Sequence, residues 1–182
     1  DVVLSGNHDL AVCGTLSTED FSRGAAIAAE WTRDVLDESH LRWLASRPPA
    51  GEILDVGLFH GSPRNPIWEY VLSALLAELC FDQTPHRLNL IGHSHVALAF
   101  ERQDGDAATG ERRRAGEAVD VAAGEWLLNP GSVGQPRDGD PRASWMLLDL
   151  DLQRAEWRRT PYDIAGAQQA PDSLAERLHY GQ

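Results

Sequence analysis

The chain opens on an apolar run, Val2-Val3-Leu4, that stops at Gly6, and this reads as a short buried strand over Val2 to Ser5. After Ser17-Thr18-Glu19-Asp20, the residues Ile27, Trp31 and Val35 recur four apart, which predicts a helix carrying them on one face. Leu41 and Leu44 predict a second short helix that stops before Pro48-Pro49. Ile53 to Phe59 is strand-like and ends in His60-Gly61-Ser62-Pro63. Leu72, Leu75, Leu76 and Leu79 then give the i, i+3, i+4, i+7 stripe of an amphipathic helix.

From residue 87 the rhythm changes. Leu88-Asn89-Leu90-Ile91 leads into Gly92-His93-Ser94-His95, Val96 to Phe100 follows, and Gln103 to Gly116 reads as a loop. Apolar runs at Ala118 to Val121, Trp126 to Leu128 and Trp145 to Leu150, with a last strand at Ala155 to Arg158, complete the core pattern. Thr160-Pro161-Tyr162-Asp163 and Ser173-Leu174-Ala175-Glu176 carry capping signatures for short terminal helices. Helices and strands alternate first, then strands dominate. Without a repeat or a dividing linker, residues 1–182 read as one domain.

Composition narrows the function classes. At 42% hydrophobic and 24% charged, the chain is globular in type and not disordered. No stretch has the apolar length to cross a bilayer, since Ser73 and Glu78 interrupt Val71 to Phe81, so no membrane partner is expected. No basic segment with an apolar core opens the chain, and the expected location is cytoplasmic. A net charge of −12 argues against a broad nucleic-acid surface. Arg112-Arg113-Arg114 lies among Gly, Asp and Glu and reads as a solvated loop. Cys13 and Cys80, without CxxC spacing, read as buried thiols in a reducing compartment. The six tryptophans read as core.

Four short pieces carry candidate chemistry: Gly6-Asn7-His8-Asp9, His60-Gly61, Gly92-His93-Ser94-His95 and Asn129-Pro130-Gly131-Ser132. Each of the first three follows a strand-like run, where loops at carboxyl ends present side chains to a shared crevice. Imidazole nitrogen and amide oxygen both ligate divalent metals, and a His-x-His on an extended segment projects both rings to one side. A pair of metals ~3.5–4 Å apart suits in-line displacement at phosphorus. Singly, each piece is weak: Gly-Asn is usually a turn, and a lone His60 is usually a satisfied core or surface residue. Gly-Asn-His-Asp alone recurs by chance on the order of once per thousand chains this long. Its coincidence, in order, with His-Gly and Gly-His-Ser-His makes accident a poor explanation.

In these motifs the chain resembles the calcineurin-like metallophosphoesterase superfamily. His60-Gly61-Ser62-Pro63 and Asn129-Pro130-Gly131-Ser132 make it most similar to small bacterial phosphodiesterases. The resemblance implies an α/β sandwich of two mixed β-sheets flanked by helices. It implies hydrolysis of a small phosphomonoester or phosphodiester by a metal-bound hydroxide, with no covalent intermediate. By position, Asn7, His60 and His93 would bind one metal and His95 the other, while His8 acts as acid or transition-state stabiliser and Asp9 orients its ring. The implied cofactors are two divalent ions, Mn²⁺ foremost, with Fe, Zn, Ni and Mg as alternatives.

The family's first two motifs, Asp-x-His and Gly-Asp-x-x-Asp, normally precede Gly-Asn-His-Asp, and neither stands in a suitable place here. Gly105-Asp106 and Gly139-Asp140 come late, and Asp37-Glu38-Ser39-His40 has the wrong spacing. The chain starts at Asp1, its only methionine is Met146, and its first apolar run enters a motif directly. It therefore reads as a segment lacking the first β-α-β-α stretch, with the carboxylates that bridge the metals, and inactive by itself. His40, His86 and His179 read as structural or solvated, and Arg64, Arg137 and Arg142 as surface ion-pair partners that follow motif loops. Rival readings are a non-catalytic scaffold or binding module of the same fold, and a dinucleoside polyphosphate hydrolase or phosphoprotein phosphatase. Oligomeric state is not legible.

Overall fold

A computed structural model describes residues 1–169 and residue 174; Ser173, Glu176 and His179 lie outside them. The chain forms two compact units, one from Val3–Pro48 with residues 163–169, the other from Pro49–Tyr162.

In the first unit, α1 (Asn7–Val12), α2 (Arg23–Val35) and α3 (Glu38–Ala45) surround a small core of Ala11, Val12 and Ala29, with Leu16, Phe21, Leu36, Leu41 and Leu44 against it. Ser22 and Asp37 cap α2 and α3 by accepting from backbone N–H groups of their first turns. The predicted stripe of α2 is turned from its core: small Ala29 is the buried residue, Ile27 and Trp31 are half-buried, and Val35 is exposed. The expected strand at Val2 to Ser5 is not formed. A strand needs a neighbour to pair with, and here Val2 and Val3 are exposed, while the Ser5 N–H donates to the Pro48 carbonyl at 2.9 Å.

The second unit holds two packed sheets. The larger contains β1 (Ala50–Ile53), β2 (Val56–Phe59), β3 (Leu88–Leu90), β4 (Ala97–Arg102), β5 (Thr109–Arg112) and β7 (Glu125–Pro130), in the order β1-β2-β3-β7-β4-β5. The smaller contains β6 (Ala118–Asp120), β8 (Ala143–Asp149) and β9 (Arg154–Thr160), in the order β6-β9-β8. The larger sheet is mixed, with β2, β3 and β7 parallel, and the smaller is antiparallel. Side chains alternate between two cores, as the strand period requires. Ala97, Ala99, Trp126 and Leu128 pack with Ala155 and Trp157 between the sheets. Leu98, Phe100 and Leu127 pack on the other face against α4 (Ala74–Phe81). A mixed α/β fold of two sheets with a helix outside matches the expected class.

Three local expectations fail here. Ile53 to Phe59 is a hairpin turn and its second strand, because Leu54 and Asp55 adopt positive φ of 49° and 66° and reverse the chain. The stretch from Gln103 to Gly116 hides the polar edge strand β5, exposed along its length and so without hydrophobic alternation. The leucine stripe faces mostly outward, with Leu72, Leu75 and Leu79 exposed and Leu76 packed on the core, since Ala77, Cys80 and Phe81 supply the buried face of α4. At the chain's end α5 (Ile164–Ala167) is capped by Asp163, whose Oδ1 accepts from Gly166, and not by Thr160. Cys80 is buried as expected but Cys13 is only half-buried, and both are free thiols. Of the tryptophans, Trp126 and Trp157 are core, whereas Trp43 and Trp145 are exposed.

Candidate functional site

Parallel pairing of β2, β3 and β7 sets their carboxyl ends side by side. His60 follows β2, His93 follows β3, and Asn129 lies near the end of β7. Because β7 sits between β3 and β4 in the sheet, the chain from Ile91 to Val96 must cross the end of β7 before β4 begins.

That crossing is a tight turn. His93 and His95 have positive φ of 61° and 59°, so the expectation of an extended His-x-His is corrected: both backbones are left-handed. Such conformations cost of order 1 kcal/mol or more each for non-glycine residues and persist only when their surroundings hold them. Asn129 supplies that hold. Fully buried, it donates through Nδ2 to the Gly92 carbonyl and the Ser94 hydroxyl, both at 3.0 Å, and its Oδ1 accepts from Gly131 N–H at 2.9 Å. The Asn129 carbonyl accepts from Trp157 Nε1 at 2.8 Å, tying the turn to the smaller sheet.

The His60 loop is equally tight. Gly61 donates to Pro66 O at 2.7 Å, and Ser62 Oγ donates to Glu69 Oε2 at 2.5 Å while accepting from Asn65 N–H. The Gly92 N–H donates to the His60 carbonyl at 2.9 Å, joining the two loops. This brings His60 Nε2 within 3.1 Å of His93 Nδ1. Two nitrogens bound to one ion at about 2.1 Å lie roughly 3.0–3.4 Å apart for cis or tetrahedral angles, so this separation also fits a shared cation.

His93 is packed from the other side by aromatic rings. Tyr70 stacks on it at 4.0 Å and Trp68 meets it edge-on at 6.4 Å. Burial, then the neighbouring His60, His95 and Arg137, push its pKa down to about 4, so the ring stays neutral and able to ligate at neutral pH. Among the described residues, its buried Nε2 has no hydrogen-bond partner of normal geometry. His95 Nδ1 lies 2.9 Å from the Gln135 carbonyl, which can only accept, so in the neutral ring that nitrogen carries the proton and Nε2 the lone pair. Arg137 N–H donates to the His95 carbonyl at 2.9 Å and its guanidinium to Gln135, not to an acid as the sequence reading expected. Arg64 and Arg142 do form ion pairs, with Glu69 and Asp140.

In the first unit, Asn7, His8 and Asp9 form the opening turn of α1. Asn7 is buried, His8 packs its ring on Phe21 with centroids 4.8 Å apart, and Asp9 Oδ2 accepts from Gly6 N–H at 2.8 Å. Asp9 thus closes the helix start, whatever else it orients. Among the described residues, no group of three or more His, Cys, Asp or Glu side chains is placed to hold a metal ion. What the structure brings together is the pair His60 and His93. Sequence reading missed Tyr70 and Trp68, whose only signal was aromatic alternation after His60-Gly61, and gave Asn129 no role.

A model of the calcineurin-like phosphoesterase superfamily domain matches residues 2–153. An uncharacterized protein of Methanocaldococcus jannaschii is 34% identical over 97% of this chain and 74% of its own. The crystal structure of a metallophosphoesterase from Sphaerobacter thermophilus is similar with a TM-score of 0.80 and 39% identity, covering 100% of this chain and 77% of that one. A hypothetical protein from Pyrococcus horikoshii OT3, 15% identical with a TM-score of 0.68 over 100% of this chain and 73% of its own, shares the fold.

Proposed function

Because the chain belongs to the calcineurin-like phosphoesterase superfamily, we propose that it hydrolyses a small phosphate ester with divalent metal ions, Mn²⁺ foremost. The observation that carries this is the 3.1 Å approach of His60 Nε2 to His93 Nδ1 at adjacent parallel strand ends. Both rings come from motifs that the family resemblance singles out. When bound, two such cations neutralise phosphate charge and make water a nucleophile at neutral pH. The chain's own contribution is to hold the imidazoles in register: Asn129 fixes the His93 turn, Tyr70 shields His93, and the Gln135 carbonyl sets the tautomer of His95. Within the second unit the proposal gives His60 and His93 to one ion and His95 to the other; for Asn7 as a ligand and His8 as proton donor to the leaving oxygen it rests on the family resemblance alone.

Metal binding is the first test. Mn²⁺ should broaden the imidazole NMR signals of His60 and His93 at the lowest occupancy, and His93→Ala should abolish the effect. A tight dinuclear site needs more ligands than the pair provides. Turnover of bis-p-nitrophenyl phosphate is therefore compared for the chain as it stands and for the chain preceded by a segment carrying Asp-x-His and Gly-Asp-x-x-Asp. Chelator-sensitive hydrolysis in the latter is expected. Hydrolysis indifferent to chelator, or Mn²⁺ that leaves both imidazoles untouched, refutes the proposal. Among the described residues no helix is long and apolar enough to cross a membrane.

A further inference from the structure

Arg112-Arg113-Arg114 reads in sequence as a solvated loop, but the fold gathers these residues with distant ones. The end of β5, the loop before β8 and strand β9 enclose a cavity of about 460 Å³. Five of its nine lining residues are arginines: Arg112, Arg113, Arg114, Arg142 and Arg159. Two are aspartates, Asp138 and Asp140.

The charges do not cancel. Arg159 is matched by Asp138, a contact in which both side chains are buried, and Arg142 by Asp140 at 2.6 Å. Arg159 also donates to the carbonyls of Asp140 and Arg142 at 2.9 and 3.1 Å, so the loop is built around its guanidinium. That leaves three. Arg113 has only Glu111 at 3.7 Å, lies 5.8 Å over the Trp157 ring, and keeps a buried Nε without a hydrogen bond. Among the described residues, the side chains of Arg112 and Arg114 have no ion-pair or hydrogen-bond partner. Two unpaired guanidinium groups and a third, Arg113, held by one long ion pair thus share one concavity of a chain whose net charge is −12. Guanidinium groups match phosphate oxygens in bidentate geometry, and partial exclusion of water strengthens the pairing.

We infer that this cavity is an oxyanion site for a small polar molecule bearing phosphate, distinct from the histidine pair. Its volume lies within the range of small-molecule pockets and exceeds what one phosphate ion fills. Its lining has no aromatic or large aliphatic side chain, so the occupant is polar throughout. The inference does not rest on the proposed hydrolysis.

The test is calorimetric titration of the chain with inorganic phosphate, pyrophosphate and glycerol phosphate, repeated on the double variant Arg112→Gln/Arg114→Gln and on His93→Ala. Saturable one-to-one binding of at least one probe is expected, weakened about tenfold or more by the double variant and kept in His93→Ala. Circular dichroism checks that the double variant, altered only at exposed positions, stays folded; Arg113→Gln is the second variant should it fail. Similar affinity for all three probes identifies a free oxyanion as the ligand, and preference for glycerol phosphate identifies an ester. No saturation by about 10 mM, unchanged binding in the variants of this cavity, or binding lost in His93→Ala would overturn the inference.

Discussion

Tyr70 lies flat on His93, with ring centroids 4.0 Å apart and planes 14° from parallel. The phenol covers one face of an imidazole whose Nδ1 faces His60, so an aromatic side chain outside every recognised motif controls the water around a candidate ligand. Tyr70→Ala should therefore raise the His93 pKa toward the ordinary histidine value, while Tyr70→Phe, which keeps the stack, should not. NMR pH titration of the His93 imidazole decides this; an unmoved pKa in Tyr70→Ala sinks it.

The same burial makes stability depend on pH. With His93 held at about 4 against 6.5 in the unfolded chain, the unfolded state binds the proton first as pH falls. Its contribution is complete above about pH 6.5 and is lost progressively down to about pH 4, by roughly 3 kcal/mol in all. Urea midpoints in chelator should fall across that window, and His93→Gln should flatten the profile. A variant that retains the full slope assigns it to another group.

Asn129 should be costly to replace. Asn129→Ala leaves the Gly92 carbonyl, the Ser94 hydroxyl and the Gly131 N–H without their partner, for a loss of about 2–4 kcal/mol. Asn129→Asp keeps one acceptor and loses both donated bonds, so it should recover little. Equilibrium unfolding measures both, and values within about 0.5 kcal/mol of wild type mean that the turn holds itself.

Asp9→Ala removes the acceptor for Gly6 N–H and should cost about 1 kcal/mol, part of which Asp9→Asn restores. Equal losses in urea denaturation would show that the carboxylate's charge, not its cap, is what matters.

Two glycines should respond oppositely. A Cβ on Gly61 would sit 2.6 Å from the Asn65 carbonyl oxygen, so Gly61→Ala must open the His60 loop, at about 1–3 kcal/mol. A Cβ on Gly24, in α2, meets nothing within 4 Å, and Gly24→Ala should stabilise by about 0.5–1 kcal/mol. Thermal melts of the two variants on the same side of wild type would contradict this.

The sequence by itself determined the family, the class of fold and the identity of the candidate ligands. Those rest on local signals: strand-like runs ending in Gly-x-x motifs at Gly6, His60 and Gly92, and helix stops such as Pro48-Pro49 that act within a few residues. It also marked Leu41 and Leu44 as one short helix and Ala155 to Arg158 as a strand, because such signals survive without knowledge of neighbours. Tertiary structure alone decided which face each element buries. Leu75 and Leu79 of α4 look like part of a core stripe in isolation, yet packing of Ala77, Cys80 and Phe81 on β4 and β7 turns them outward. The polar strand β5 exists only because β4 offers an edge to pair with. The separation of His60 from His93, the Tyr70 stack and the gathering of Arg112 to Arg114 with Arg159 likewise depend on contacts between residues far apart in the chain. Period and propensity are short-range, whereas burial, desolvation and charge balance are set by whatever the fold places alongside.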